Sequence, residues 1–364
     1  MTSRRKFLSG AAAAGVVFCS CGLLDQARAQ VPAGTSPRQA VAVNGRRVKT
    51  IDVHAHCHFR EVIPLIGGNP APLLPPVRGA EEAFITVEQR FRAMDAQKVD
   101  MEVLSVNPFW YGRDRDLAAQ IVKVNNEQMA ALCAAHPDRF AGFCSLTLQA
   151  PDLAVQELET AVRRQGLKGA AIGGNVAGVD FSDARFHPVW AKAEELGCAL
   201  FIHPQGTPQL NQRFAGNGWL SNTIGNPLDT TIALSKLIFE GTLDRHPGLK
   251  IIAAHGGGYL PSYADRSDHA CTVGPAGCNP AIQLAKRPTE YLKQMWFDSL
   301  IFTPEAIRHL QAQVGADRIL LGSDYPYPWQ MAPVDHIFAC DSLNDDQKRG
   351  VLGETAAKLL NIPM

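Results

Sequence analysis

His54 and His56, separated by one residue in Ile-Asp-Val-His-Ala-His, close an apolar run, and His203, His255 and Asp324 each stand at the end of another. Alternate residues of a strand share a face, so the first two imidazoles can point into one space while Ala55 points away. Neutral imidazoles joined by one carboxylate suit a divalent cation such as Zn2+, whereas calcium and magnesium favour oxygen donors. A His-x-His pair is weak evidence alone. The rest of the set strengthens it: His203 follows Leu200-Phe201-Ile202, and Asp324 follows Ile319-Leu320-Leu321-Gly322-Ser323. One divalent ion on His54, His56, His203 and Asp324 is therefore expected, zinc first, with manganese, iron and cobalt as the alternatives. His255, ahead of three glycines, is the expected general acid/base, because an unligated imidazole beside a metal-bound water can exchange its proton near neutral pH. A fifth ligand, or a purely structural histidine, is the competing reading of His255.

Such residues must be brought together by elements far apart in the chain. Apolar β-type runs over 48–53, 101–106, 140–146, 169–172, 199–202, 250–254, 296–300 and 318–321 alternate with helical patterns over 87–97, 117–136, 152–165, 187–196, 230–246 and 304–314. Eight strands, most followed by a helix, predict an α/β (β/α)8 TIM barrel with functional groups at the C-terminal strand ends. An open doubly wound sheet has the same alternation, but it would spread residues following the first, fifth, sixth and eighth strands along an edge. The long connections 58–85 and 204–229 are the expected places for substrate selection. Phe109, Trp110, Tyr111, Trp219 and Trp329 fall in loops of that mouth, where they suit a flat acid or pack as lids. The fourth strand ends Ile172-Gly173-Gly174-Asn175, with Lys168 at its start, so no lysine is placed to bridge a second metal.

The chain has 364 residues, 46% hydrophobic and 19% charged, with 35 basic side chains against 35 acidic ones. That is an ordinary globular composition without the basic footprint of a nucleic-acid binder. Arg4-Arg5 before an apolar stretch from Ala11 to Leu24, and Ala27-Arg28-Ala29 after it, read as a twin-arginine signal peptide over 1–29, giving a periplasmic protein with no stable membrane anchor after processing. A lipid on Cys21 is a minor alternative. Residues 30–47 read as a linker and 48–364 as one catalytic domain. Seven of nine cysteines remain after cleavage, an odd number that excludes full pairing within a monomer, and Cys271 and Cys278 flank a turn as a possible disulfide or as two thiols. The His-Gly-Gly-Gly string also occurs in serine esterases, but the chain has no Gly-x-Ser-x-Gly, which excludes that chemistry.

Together Asp52-Val53-His54-Ala55-His56, Phe201-Ile202-His203-Pro204, Ala254-His255-Gly256-Gly257-Gly258 and Leu321-Gly322-Ser323-Asp324-Tyr325-Pro326 resemble the amidohydrolase superfamily, within it the branch of aminocarboxymuconate-semialdehyde decarboxylase. The resemblance implies a divalent metal on the four ligands and His255 as catalytic histidine; in a hydrolytic reaction Asp324 or His255 would shuttle the proton. It also implies homodimers or homotetramers in which Arg266, eleven residues beyond His255, reaches a partner's substrate carboxylate. A guanidinium grips a carboxylate with two hydrogen bonds. The first loop departs from the branch, with a proline-rich stretch over 70–77 and only Arg60 and Arg78 as candidate replacements. The apolar Ile301 and Phe302 also replace a more polar pair. The activity implied is decarboxylation of an unsaturated or aromatic carboxylic acid; hydrolysis of a lactone or amide by the same residues is the alternative. A non-catalytic binding protein would lack a ligand or the histidine, and neither is missing.

Overall fold

The computed structural model describes residues 38–364, and the first element among them is a hairpin. Strands β1 (Val41–Val43) and β2 (Arg46–Val48) pair antiparallel around Asn44-Gly45. Both turn residues have positive φ, 48° and 75°, the conformation a two-residue hairpin turn requires and Asn-Gly tolerates. The stretch read as linker up to residue 47 thus ends in a hairpin, fastened where Arg38 and Arg47 both bond Asp100. The expected signal peptide and Cys21 lie outside the described residues.

Beyond the hairpin, β3 (Ile51–His56), β4 (Met101–Ser105) and β5 (Phe140–Gly142) form one parallel sheet. A second comprises β6 (Gly169–Ile172), β7 (Ala199–Ile202), β8 (Lys250–Ala253), β9 (Trp296–Asp298) and β10 (Ile319–Leu320), paired in sequence order. The two sheets join at both edges. Cys144 bridges Ala170 in parallel on one side, and Ala55 bridges Tyr325 on the other. Backbone bonds from Val53 N to Leu321 O, 2.9 Å, and from Cys144 N to Gly169 O, 2.8 Å, complete the seams. Eight parallel strands closed in this way are the expected TIM barrel, which removes the exposed edges an open sheet would leave.

After successive barrel strands come α1 (Val87–Ala96), α2 (Arg115–Ala135), α3 (Pro151–Arg163) and α4 (His187–Leu196). The pattern predicted as one helix over 230–246 is two, α6 (Gly225–Phe239) and α7 (Thr242–Arg245), preceded by the short α5 (Leu220–Thr223). Then follow α8 (Ala264–Val273), α9 (Pro288–Leu292) and α10 (Pro304–Val314), the last capped by the Thr303 hydroxyl accepting from Ala306 N. The chain finishes with α11 (Pro333–Phe338), α12 (Asp345–Arg349) and α13 (Thr355–Leu360).

Two apolar layers hold these elements. Ile51, Val53, Met101, Val103, Phe143, Phe201, Ile252 and Leu320 form an inner cluster with Ala356, Leu359 and Leu360 of α13, so the last helix packs against the barrel's filling. Their alternates, such as Leu104, Leu200, Ile251 and Leu321, join the larger layer between strands and helices. Among the described residues no helix is long and apolar enough to cross a membrane. Cys271 and Cys278 form a disulfide, while Cys57, Cys144, Cys198 and Cys340 are buried free thiols and Cys133 is partly buried. Burial pushes the thiols of Cys57 and Cys133 up to about 12 and that of Cys198 to about 11.

Candidate metal centre

The faces of β3 change hands along its length. Ile51 and Val53 belong to the inner layer, yet Ala55 and Cys57 belong to the outer one. The register with β4 shifts between Asp52 and Ala55, an irregularity that lets His54 and His56 follow Val53 into the interior. The strand thus runs through both histidines instead of ending before them at Val53, as the apolar pattern predicted. On β7 plain alternation suffices: Ala199 and Phe201 point inward, and His203 continues their side. Asp324 arrives on a loop after β10, its backbone at φ 69° and tied to β3 by Asp324 N donating to His54 O, 2.8 Å. Gly322 has no room for a side chain, because a Cβ there would lie 2.9 Å from Asp298 Cβ and 3.1 Å from His54 Cβ.

Four buried side chains converge as a result. Donor atoms of His54, His56, His203 and Asp324 all lie within 4.8 Å of one another. The Nε2 atoms of His54 and His56 are 3.1 Å apart, and Asp324 Oδ1 is 3.2 Å and 2.9 Å from them. These separations are near the roughly 3.3 Å expected between tetrahedral donors whose bonds to zinc are about 2.0–2.1 Å. Hydrogen bonding does not account for the cluster. His54 presents Nδ1 to Asp298 Oδ2 at 2.6 Å, and that carboxylate takes the ring proton. Ser105 Oγ donates to Ala55 O and stands 2.9 Å from His56 Nδ1, so it can accept the second ring's proton. Both Nε2 lone pairs then face one point, where Asp324 Oδ1 also lacks a hydrogen-bond partner. Mutual repulsion among such acceptors is relieved by a cation between them. The residues fit one divalent metal ion, and nothing at the end of β6 supplies a bridge to a second; Lys168 instead bonds Asn361 O.

The electrostatics agree. Burial would lower the pKa of His54, but the Asp324 and Asp298 carboxylates override it and raise it to about 10, marking a place that attracts positive charge. Burial holds His56 down at about 4 and His203 well below the usual imidazole range, which leaves neutral nitrogens to ligate. Asp324 is held well below the usual carboxylate range: burial alone would raise it, and the His54 charge and neighbouring imidazoles prevail.

The residue that sequence reasoning left without a role is Asp298, fully buried at the end of β9. Its Oδ2 accepts from His54 Nδ1 and from His255 N at 2.9 Å, and its Oδ1 accepts from Gly256 N at 3.0 Å and Leu300 N at 3.1 Å. Its position at a strand end was the available signal. Metal-bound histidines commonly have their second nitrogen fixed in this way. Below His56, Arg90 bonds Glu102 at 2.6 Å, donates to His56 O at 2.7 Å and lies over the Tyr325 ring. Asp52 ties the two ends of the site together by accepting from His54 N and Ser323 N.

His255 stands beside the four. Its Nε2 is 3.7 Å from Asp324 Oδ2, its Nδ1 has no partner, and its backbone takes φ 55°. It lines a cavity of about 340 Å3 that also contains His203, Asp324, His58, Asn107 and the 58–85 loop from Pro72 to Val77. Of the five loop aromatics, Phe109, Trp219 and Trp329 line this cavity. Trp110 and Tyr111 do not: they are buried, with the indole donating to Leu146 O and the Tyr111 hydroxyl accepting from Gly173 N, so their polar tips are used in packing. Arg60 lies over Phe84, and neither it nor Arg78 lines the cavity. Arg266 is on the exposed side of α8, does not line the cavity of its own chain and makes no ion pair among the described residues.

Residues 51–362 match the family model described as Amidohydrolase, and the chain belongs to that family. It is similar to 2-amino-3-carboxymuconate-6-semialdehyde decarboxylase of Dictyostelium discoideum, with 32% identity over 280 residues, covering 75% of this chain and 76% of the relative. A solved structure of 2,6-dihydroxybenzoate decarboxylase complexed with 2,6-dihydroxybenzoate is 25% identical, with TM-score 0.76, covering 86% of this chain and 99% of that one. The fold is shared with 5-carboxyvanillate decarboxylase of Novosphingobium aromaticivorans, complexed with manganese and 4-hydroxy-3-methoxy-5-nitrobenzoic acid. That pair is 24% identical with TM-score 0.77, over 86% of this chain and 96% of the neighbour.

Asp298→Asn should lower metal affinity about 10–100-fold, because the amide cannot accept the His54 ring proton and all three backbone amides equally well. Competition with a chromophoric chelator measures this, and an unchanged affinity would assign Asp298 to folding alone.

Proposed function

We infer that this chain is a metal-dependent carboxy-lyase that removes CO2 from an aromatic or unsaturated carboxylic acid. The observation that carries this reading is the placement of His255 beside the ligand cluster and outside it, in a family member whose relative and structural neighbour are named decarboxylases. When bound, the cation would act as a Lewis acid that holds substrate oxygens and offsets negative charge as the carboxyl group departs. His255 delivers a proton to the carbon bearing the carboxylate. The bond to the carboxyl carbon then breaks, its electron pair returns to the substrate's conjugated system, and CO2 leaves. Asp324 Oδ2, at 3.7 Å, orients the imidazole and balances its charge when protonated. Phe109, Trp219 and Trp329 flank the planar acid and exclude water. Zn2+ is the ion we propose from three imidazoles and one carboxylate; manganese, present in the 5-carboxyvanillate decarboxylase structure, is the competing outcome of metal analysis.

Metal-loaded protein should release CO2 from members of a panel of hydroxylated aromatic acids, lose that activity to a chelator and regain it on adding metal. His255→Asn, an exchange that tolerates the left-handed backbone, should reduce kcat about 10²–10⁴-fold with metal content unchanged. Acid release from lactones or amides in place of CO2 would select the hydrolase reading, and loss of metal with His255 would make it a ligand.

We also propose a homodimer or homotetramer in which Arg266 serves the partner's substrate. Its exposure on α8 supports that role. Mixing Arg266→Ala with His255→Asn protein should then restore part of the activity in hybrid dimers, and absence of recovery after subunit exchange sinks the proposal.

Export by the twin-arginine signal is supported by Arg4-Arg5 and by the Cys271–Cys278 disulfide, which suits an oxidising compartment. Intact mass of periplasmic protein should show cleavage after Ala29; protein found only in the cytoplasm with Met1 retained refutes it.

A further inference from the structure

The space at the metal centre continues past His255. His255, Asn222, Asn226 and Trp329 line both the cavity containing Asp324 and a second one of about 400 Å3. This second chamber is walled by Tyr259, by Leu300, Ile301 and Phe302 after β9, and by Ala306 in the first turn of α10. Trp329 divides the two. Its ring stacks on Trp219 at 5.9 Å and 15° on the metal side, and meets Phe302 at 6.0 Å on the other.

The chambers differ in chemistry. The first contains the metal ligands His203 and Asp324 together with His58, Asn107 and Gln205. The second has no aspartate, glutamate, lysine or arginine in its lining. Its hydroxyls are hydrogen-bonded, with the Thr303 oxygen accepting from Ala306 N, the Thr223 hydroxyl donating to Gly218 O and that of Tyr259 to Thr223 O at 3.3 Å, and its side-chain amides are those of Asn222 and Asn226, which it shares with the first chamber. The remaining surface is mostly hydrocarbon and aromatic. Each chamber alone falls within the roughly 300–1,000 Å3 of small-molecule sites, so a one-ring acid at the metal leaves the second unused.

We propose that the substrate has two parts: an acid-bearing ring at the metal centre, and an apolar alkyl or aryl tail that passes His255 and Trp329 into the chamber between Ile301, Phe302 and Ala306. The identity of the head rests on the carboxy-lyase reading; the tail does not. Tail burial is a binding contribution remote from the bond that breaks, and it sets specificity through kcat/KM. Each methylene buried is worth ~0.8 kcal/mol, or about fourfold in affinity and in kcat/KM until the chamber is full.

The test uses metal-loaded protein and 2-hydroxybenzoic acids carrying unbranched alkyl chains, from methyl to hexyl, at ring carbon 4, 5 or 6. Calorimetry supplies Kd for every member whether or not it turns over, and CO2 release supplies kcat/KM. Kd should fall with chain length for at least one ring position in the parent protein. Ala306→Leu should blunt that dependence and Ala306→Trp abolish it, with affinity for unsubstituted 2-hydroxybenzoate unchanged in both. Affinity that is flat or worsens with length at all three positions overturns the proposal, as does a dependence that survives Ala306→Trp. Tighter binding of longer acids without any CO2 would retain the tail site and reject the carboxy-lyase reading, so the two failures are distinct.

Discussion

One buried carboxylate, that of Asp298, connects the ligand cluster to the turn that carries His255. It accepts the ring proton of His54, which leaves Nε2 free for a cation, and the amide protons of His255 and Gly256, which fix the turn carrying His255. Burial works to raise its pKa, but the adjoining His54 ring and the surrounding donors hold it below the usual carboxylate range. A charge buried this deeply is tolerable only because its oxygens are satisfied by this network. The position of His255 relative to the ligand cluster is consequently set by a carboxylate that belongs to neither.

The layers beneath the mouth extend that logic. Arg90 pairs with Glu102 inside the protein and donates to the His56 carbonyl, so the backbone of a ligand is pinned by an ion pair whose rupture would cost about 3–5 kcal/mol. His255 and Asp324 both adopt positive φ, an unfavourable backbone state for residues with side chains, and both lie at the reacting centre. The surrounding hydrogen bonds hold them there. The inner cluster, with α13 packed against it, supplies the rigid platform on which such conformations persist.

Much of this was legible in the amino-acid order. The ligands were visible because each concluded an apolar run, and strand ends in a closed barrel point to one mouth. The barrel itself followed from the alternation of strand and helix patterns, although their repeat does not distinguish a closed from an open sheet; the seams at Ala55 and Cys144 do. The shift of register on β3 was not legible, since one inserted irregularity leaves no mark on a hydrophobic pattern yet changes which side chains face inward. Asp298 closes its strand as the ligands close theirs, but its part is set by the two histidines it meets in space. Trp110 and Tyr111 misled for the opposite reason: aromatic side chains in a loop look available for a ligand until their polar tips are found bonded to backbone.

The distribution of sulfur carries a last consequence. An unfolded chain could pair any of the seven cysteines in the described residues, with near neighbours favoured by the shorter loop they close, but the native packing joins Cys271 to Cys278 and buries most of the others in apolar surroundings that disfavour the thiolate. The order of maturation therefore matters. A chain that acquires its tertiary contacts before it meets an oxidant has a single bridge to make, whereas one oxidised while still extended can be trapped by wrong partners.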